Sequence, residues 1–258
     1  MESGWLGLPK ITEQTEVTEL PDGTKMFWAP IPKKQTGKKV LLVVGETFIT
    51  LGLVLALFVG YKAVLQDSLI ADSQITKSQG FGNGANQHKF RDPAKVNKQA
   101  QIFGRMYVPR FGHKWTRLVA EGTRWHPVLN DIGVGHYVGT AMPGEVGNFA
   151  VAAHRGGFGG SFKEIHRLVS GDKVYVETRN FWYVYKYLQT KIVNPNDMTV
   201  IQPVPPELDG SMAGSKYMTM TSCTPIFVNT QRIIVWLELD QVIPIKDGPP
   251  QELQLGGN

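Results

Sequence analysis

Residues 216–236 read KYMTMTSCTPIFVNTQRIIVW. Two runs rich in β-branched and apolar residues flank a short segment with Pro225 and Asn229, the pattern of two strands joined by a loop. Cys223 ends the first run and is the only cysteine in the 258 residues, and Arg232 opens the second run nine positions later. A single thiol at a strand end is either a small buried hydrophobe, half of an intermolecular bridge, or a nucleophile.

Outward from this pair, the same kind of segment recurs from about Gly104. The runs RMYVPRF, WTRLVAEG, NFAVAAH, KVYVET, FWYVYKYLQTKIV and RIIVWLELD are bounded by Gly, Pro, Asn or Asp. Only SFKEIHRLV (Ser161 to Val169) spaces its apolar residues at helical intervals. Seven or more short strands with about one helix predict a closed or nearly closed, antiparallel-rich barrel.

The chain ahead of the strands divides into three. VLLVVGETFITLGLVLALFVGY (Val40 to Tyr61) carries one charge, Glu46. As a helix it would span roughly 33 Å, enough to cross a hydrocarbon core. Lys33, Lys34, Lys38 and Lys39 precede it, whereas only Lys62 follows closely. The positive-inside rule then keeps residues 1–39 as a flexible cytoplasmic tail, makes 40–61 a single-pass type II anchor, and exports the remainder. Glu46 lies roughly 9 Å inside the boundary, where its carboxylate can snorkel toward headgroups. Residues 62–103 are rich in Gly, Asn, Gln and Lys and read as an extracellular tether or arm, followed by a domain over 104–242 and a polar tail over 243–258.

Composition narrows the functions. The net charge of +5 is spread along the chain without a basic block interleaved with aromatics, so no nucleic-acid partner is expected. One cysteine leaves no disulfide framework and no Cys-rich metal site, and no acidic cluster calls for calcium. No cofactor or metal is expected.

A nucleophilic thiol needs a proton acceptor. His113, His126 and His166 lie in polar contexts and His88 in the arm. His154 ends the run NFAVAAH and opens the glycine-rich RGGFGG, a functional position on a rigid strand end beside a loop. His136, in GHYVGT, competes with it.

At these residues the sequence resembles the sortases, thiol-dependent transpeptidases of Gram-positive bacteria. TMTSC with an arginine nine residues later looks like the family's Thr-Leu-Xaa-Thr-Cys signature and strand-borne Arg, and AAHRGGFGGSF looks like its His-Arg-Gly segment. Met220 and Ser222 depart from that signature, in which Leu and Thr are usual. The resemblance covers about Gly104 to Leu239 and implies an eight-stranded barrel with one or two short helices. It makes Cys223 the nucleophile, His154 the acid/base and Arg232 the group that positions substrate and holds the oxyanion. It places Tyr137, Thr221 and Ser222 along the substrate groove. RFGHKWTRLVAEGT and IGVGHYVGTAMPGEVGNFAVAAHR look like class E, the actinobacterial housekeeping type. That class implies cleavage of a Leu-Ala-Xaa-Thr-Gly rather than a Leu-Pro-Xaa-Thr-Gly signal between Thr and Gly. The partners it implies are exported proteins carrying the signal, a lipid-linked peptidoglycan precursor amine, and the membrane. The alternatives are a pilin-polymerising sortase, whose Asp-Pro-aromatic lid and second span are not matched by RDPAK and the polar tail, and a hydrolytic cysteine protease. For a papain-like protease the order of His before Cys is wrong.

Overall fold

The computed structural model describes residues 16–28, 36–61, 65–81, 89–208 and 214–254. The chain divides into two units, residues 1–57 and 58–258. In the first, strands β1 (Glu16–Glu19) and β2 (Lys25–Trp28) form an antiparallel hairpin, so the segment read as a flexible tail contains ordered structure. Its turn uses Gly23 at φ +80°, and Asp22 Oδ1 accepts the Thr24 N–H at 3.0 Å. Helix α1 (Thr36–Gly60) follows, and its stretch Gly37–Gly60 is long and apolar enough to cross a membrane.

The second unit is an all-β barrel. After helix α2 (Gln66–Gln79) come strands β3 (Ile102–Tyr107), β4 (Thr116–Glu121), β5 (Gly133–His136), β6 (Gly147–Ala152), β7 (Lys173–Thr178), β8 (Phe181–Val193), β9 (Lys216–Thr224) and β10 (Gln231–Pro244). They close in the order β10-β8-β7-β3-β4-β5-β6-β9, with β4/β5 and β6/β9 parallel and the other pairs antiparallel. A short helix α3 (Gln251–Gln254) lies beyond β10, and its Glu252 meets Lys173 at 3.1 Å.

Side-chain alternation sorts each strand into an inner and an outer face. Phe149, Val151 and Ala153 from the β6 segment, Met218 and Met220 from β9, and Ile233, Val235 and Leu237 from β10 fill the barrel. Between them, Tyr217, Ile234 and Trp236 point outward and form a second apolar cluster with Val193, Val200 and Leu208. By the same parity Cys223, Thr221 and Arg232 belong to the outer face.

Three elements differ from the sequence expectation. β5 (GVGH) escaped notice because two of its four residues are glycine; a Cβ at Gly135 would run into the Gly122 carbonyl oxygen, so close strand approach requires the gap. The segment Ser161–Val169 is not an α-helix but a series of turns with one 3₁₀ turn, Ile165–Arg167. Phe162, Ile165 and Leu168 are buried at intervals of three, which matches a 3₁₀ period rather than 3.6. The arm read as a tether contains α2, seated on the barrel by polar contacts. Gln74 and Ser78 are buried, and buried Arg105 donates to the Ser78 carbonyl at 2.8 Å. No apolar stripe announces such a helix, so hydrophobic periodicity missed it.

Candidate active site

Cys223 and Arg232 are cross-strand partners in the β9/β10 register. Directly opposed residues of an antiparallel pair share a face, with Cβ atoms about 4.5–5.5 Å apart. The second neighbour of β9 is parallel β6, in which Ala152 is opposite Thr221. Carrying that register two residues further sets His154 beside Cys223 on the same outer face. The Ala153 N–H donates to the Thr221 carbonyl at 3.3 Å, continuing the ladder past the end of β6. Three strands thus deliver a thiol, an imidazole and a guanidinium to one place.

That place is a cleft of about 380 Å³, lined by Cys223, His154, Arg232, Tyr137, Trp125 and Phe158 among others. The side chains of Cys223, His154 and Arg232 are each half-buried. Arg232 donates through Nη1 to the carbonyls of Gln231 (2.9 Å) and Asn229 (3.1 Å), and it has no carboxylate partner among the described residues. Its remaining N–H groups are available to a carbonyl or oxyanion.

His154 is flanked by aromatic rings, Trp125 edge-on at 6.0 Å and Phe158 at 5.2 Å. Burial among them pushes the imidazole below the ordinary value of 6.5, against a smaller opposing pull from the Asp67 carboxylate. Its Nε2 lies 2.7 Å from Asn130 Oδ1. Asn130 Nδ2 is in turn 2.9 Å from His126 Nε2, and His126 Nδ1 is 3.0 Å from Asp131 Oδ2. Helix α2 braces both sides of His154. Gln74 Nε2 donates to the Asn130 carbonyl (3.1 Å) and the Phe158 carbonyl (3.3 Å), and Asp67 Oδ1 accepts the Gly159 N–H (3.0 Å). The glycine-rich loop turns tightly here, with Phe158 itself held at φ +52°, a strained conformation for a side chain of its size.

The other expected groove residues fall differently. Tyr137 lines the cleft, and its hydroxyl is 3.0 Å from Thr221 Oγ1. Thr221 Oγ1 also contacts the Val151 carbonyl at 3.3 Å, which can only accept, so Thr221 donates there and the phenol donates to Thr221. The lone pairs of the phenol oxygen remain open to the cleft. Ser222 has the opposite parity: its side chain is buried and its hydroxyl donates to the Ala153 carbonyl at 2.7 Å. Ser222 lines the cleft as expected, while its buried hydroxyl ties β9 to the β6 segment. His136, the rival histidine, is fully buried against Glu121 and lies outside the cleft. His88 lies outside the described residues. Asn130, Trp125 and Phe158 were not singled out from the sequence; no spacing or motif distinguishes them, and only the fold brings them to His154.

A family model described as the sortase domain matches residues 106–240, just over half of the chain. The chain belongs to the sortase family. Among curated sortases, SrtE2 of Streptomyces coelicolor is 36% identical over 230 residues, covering 82% of this sortase and 87% of that relative. SrtE1 of the same organism is 32% identical over 216 residues, covering 81% of this chain but 60% of that relative's own length. The solved sortase E of Streptomyces avermitilis aligns at 38% identity with a TM-score of 0.56, over 61% of this chain and 99% of that one. A solved structure of S. coelicolor sortase E1 carries a tripeptide in its active site and aligns at 33% identity with a TM-score of 0.55, covering 59% of this chain and 96% of that one. The likeness falls on class E, and the sortases are a family of cysteine transpeptidases.

Proposed function

We propose that this sortase is a membrane-anchored transpeptidase that cleaves a sorting signal between Thr and Gly and transfers the acyl group to an amine. The observation that carries the reading is the register that sets His154, Cys223 and Arg232 side by side on the outer face of β6, β9 and β10. A substrate strand lying in the cleft presents its Thr–Gly carbonyl to the thiol. The Cys223 thiolate attacks the carbonyl carbon, and the oxyanion of the tetrahedral intermediate is held by Arg232. His154 as imidazolium gives its proton to the departing glycine amine as the C–N bond breaks, leaving a thioester. The acceptor amine attacks that thioester and loses a proton to His154, and the Cys223 sulfur leaves as thiolate.

The depressed basicity of His154 keeps most imidazole neutral at neutral pH, so the reactive ion pair is a minority form that substrate binding has to favour. Tyr137 selects at the second signal position. An alanine there offers a backbone N–H that proline lacks, and the open lone pairs of the phenol oxygen accept it. The preferred signal is therefore Leu-Ala-Xaa-Thr-Gly. Helix α1 is the anchor, and the four lysines before its apolar run set the barrel outside the cell. The acceptor is a lipid-linked cell-wall precursor amine, which joins the exported client to peptidoglycan.

Incubating the full-length protein in detergent with Leu-Ala-Xaa-Thr-Gly peptides and hydroxylamine tests the reading. A hydroxamate ending at Thr, absent with Cys223→Ala, is expected. Cleavage that yields only free acid at saturating amine would make the enzyme a hydrolase.

A further inference from the structure

We infer that Asn130 is a positioning residue that fixes the tautomer of His154, presenting Nδ1 to the reaction while holding Nε2–H. This deepens the transpeptidase reading and rests on it. Asp131 is acceptor-only as a carboxylate, so the 3.0 Å contact requires the proton of a neutral His126 on Nδ1. His126 Nε2 is then an acceptor and takes its hydrogen bond from the Asn130 amide nitrogen at 2.9 Å. That orientation turns Asn130 Oδ1 toward His154 Nε2 at 2.7 Å, and an amide oxygen can only accept. His154 Nε2 therefore carries hydrogen in both the neutral and the cationic ring. Nδ1 has no hydrogen-bond partner among the described residues, and it is the nitrogen that gains and loses the proton.

Asn130 is itself locked. The residue is 5% exposed, and its backbone carbonyl accepts from Gln74, whose Oε1 in turn accepts from Ser161 at 3.1 Å. The amide cannot rotate without stranding His126 Nε2, so the chain Asp131–His126–Asn130 transmits one fixed polarity to the catalytic ring. Asn130 Oδ1 also meets a full charge whenever His154 is imidazolium, and hydrogen bonds to charged groups are the stronger kind. Among the described residues, the charged and titratable groups around His154 are Asp67 from α2, Tyr137 from the segment after β5, Cys223 from β9, Arg232 from β10, and His126 with Asp131 reached through Asn130.

The test uses the full-length protein in detergent, with kcat/KM measured across pH on the Leu-Ala-Xaa-Thr-Gly peptide and hydroxylamine, and histidine-labelled ¹⁵N spectra recorded in parallel. In the wild type, neutral His154 is expected to carry its proton on Nε2. Asn130→Ala removes the acceptor. It should lower kcat/KM by about 10- to 100-fold, the usual consequence of losing a hydrogen bond to a charged group, and shift the acid limb of the profile downward. Asn130→Asp keeps the acceptor and adds a negative charge, so the limb should move upward. His126→Ala, at a side chain that is 70% exposed, releases the amide and should follow Asn130→Ala in direction with a smaller loss. A packing role for Asn130 would lower activity without moving the limb. Nδ1 protonation in neutral wild-type His154, an unmoved limb in Asn130→Ala, or activity within twofold would each overturn the inference. Should Asn130→Ala fail to fold, the wild-type spectrum and His126→Ala decide. The two readings fail separately: a wild type without Cys223-dependent product sinks the transpeptidase, while the tautomer is still read from the spectra.

Discussion

His136 ends strand β5 and His154 lies two residues past neighbouring β6, and yet only His154 keeps a ring nitrogen without a hydrogen-bond partner among the described residues. His136 is 1% exposed, with Nδ1 on Glu121 at 2.7 Å and Nε2 on Thr140 Oγ1 at 2.9 Å. Both of its nitrogens are committed, and its ring stacks on Phe149 at 5.4 Å inside the barrel wall. His154 is half-buried, has one nitrogen held by Asn130, and keeps the other for the cleft beside Cys223. A strand-end histidine becomes an acid/base when one nitrogen is fixed and one is free; with both fixed it is a rivet. Burial alone does not separate the two roles, because both rings are enclosed by aromatics.

The sharpest break of that comparison is a pair of alanine substitutions. His154→Ala should lower kcat/KM by about 10²- to 10⁴-fold, the range for a general acid–base group, and leave the melting temperature near that of the wild type. His136→Ala should do the reverse. It leaves the Glu121 carboxylate buried and unpaired, at a cost of about 1–3 kcal/mol, which corresponds to a fall of several degrees in Tm at about 2–4 °C per kcal/mol. Activity of the folded fraction should persist. An inactive but thermally unchanged His136→Ala would contradict the division of roles.

Arg232→Lys comes next, because it tests whether the register pair with Cys223 matters as geometry or only as charge. A point charge cannot reproduce the planar fork, so most of the activity should be lost, with the deficit in kcat rather than KM. Near-wild-type turnover would remove Arg232 from the oxyanion site.

A smaller effect concerns selectivity. Tyr137→Phe keeps the ring and removes the oxygen, so the preference for Leu-Ala-Xaa-Thr-Gly over Leu-Pro-Xaa-Thr-Gly should fall by up to about tenfold, the value of one hydrogen bond. An unchanged kcat/KM ratio would leave Tyr137 as a packing partner of Thr221. The smallest effect is electrostatic. The acid limb of the wild-type kcat/KM profile should lie below 6.5, since burial disfavours the imidazolium. Asp67→Asn retains an acceptor for the Gly159 N–H and removes the charge that partly offsets burial. The limb should therefore move slightly further down, and an upward shift would show that another group controls it.

Much of this site was legible in the sequence, for physical reasons that can be named. The runs around Cys223 and Arg232 are rich in β-branched and apolar residues and are separated by Pro225 and Asn229, and β9 and β10 lie where those runs predict. His154 stands at a strand end before glycines, a local signature that survives without neighbours. Ser222 has a second role that the motif does not announce, the hydroxyl bond to the Ala153 carbonyl that ties β9 to the β6 segment. The remainder depends on partners distant in the chain. Asn130 reaches His154 across 24 positions, and Gln74 reaches Asn130 across 56, through single polar bonds that leave no periodic trace. Helix α2 reads as part of a tether for the same reason. Its anchors, Gln74 and Ser78, are the polar residues that composition assigns to loops.

The central claim is that Cys223 carries the acyl group between donor and acceptor. Intact-mass measurement of the full-length protein, quenched in acid shortly after mixing with a Leu-Ala-Xaa-Thr-Gly peptide in the absence of added amine, tests it most directly. The account predicts an adduct equal to the peptide up to its Thr acyl group, mapped to Cys223, discharged by hydroxylamine and absent in Cys223→Ala. Turnover of the peptide without any adduct on Cys223, or product formation by Cys223→Ala, would contradict it.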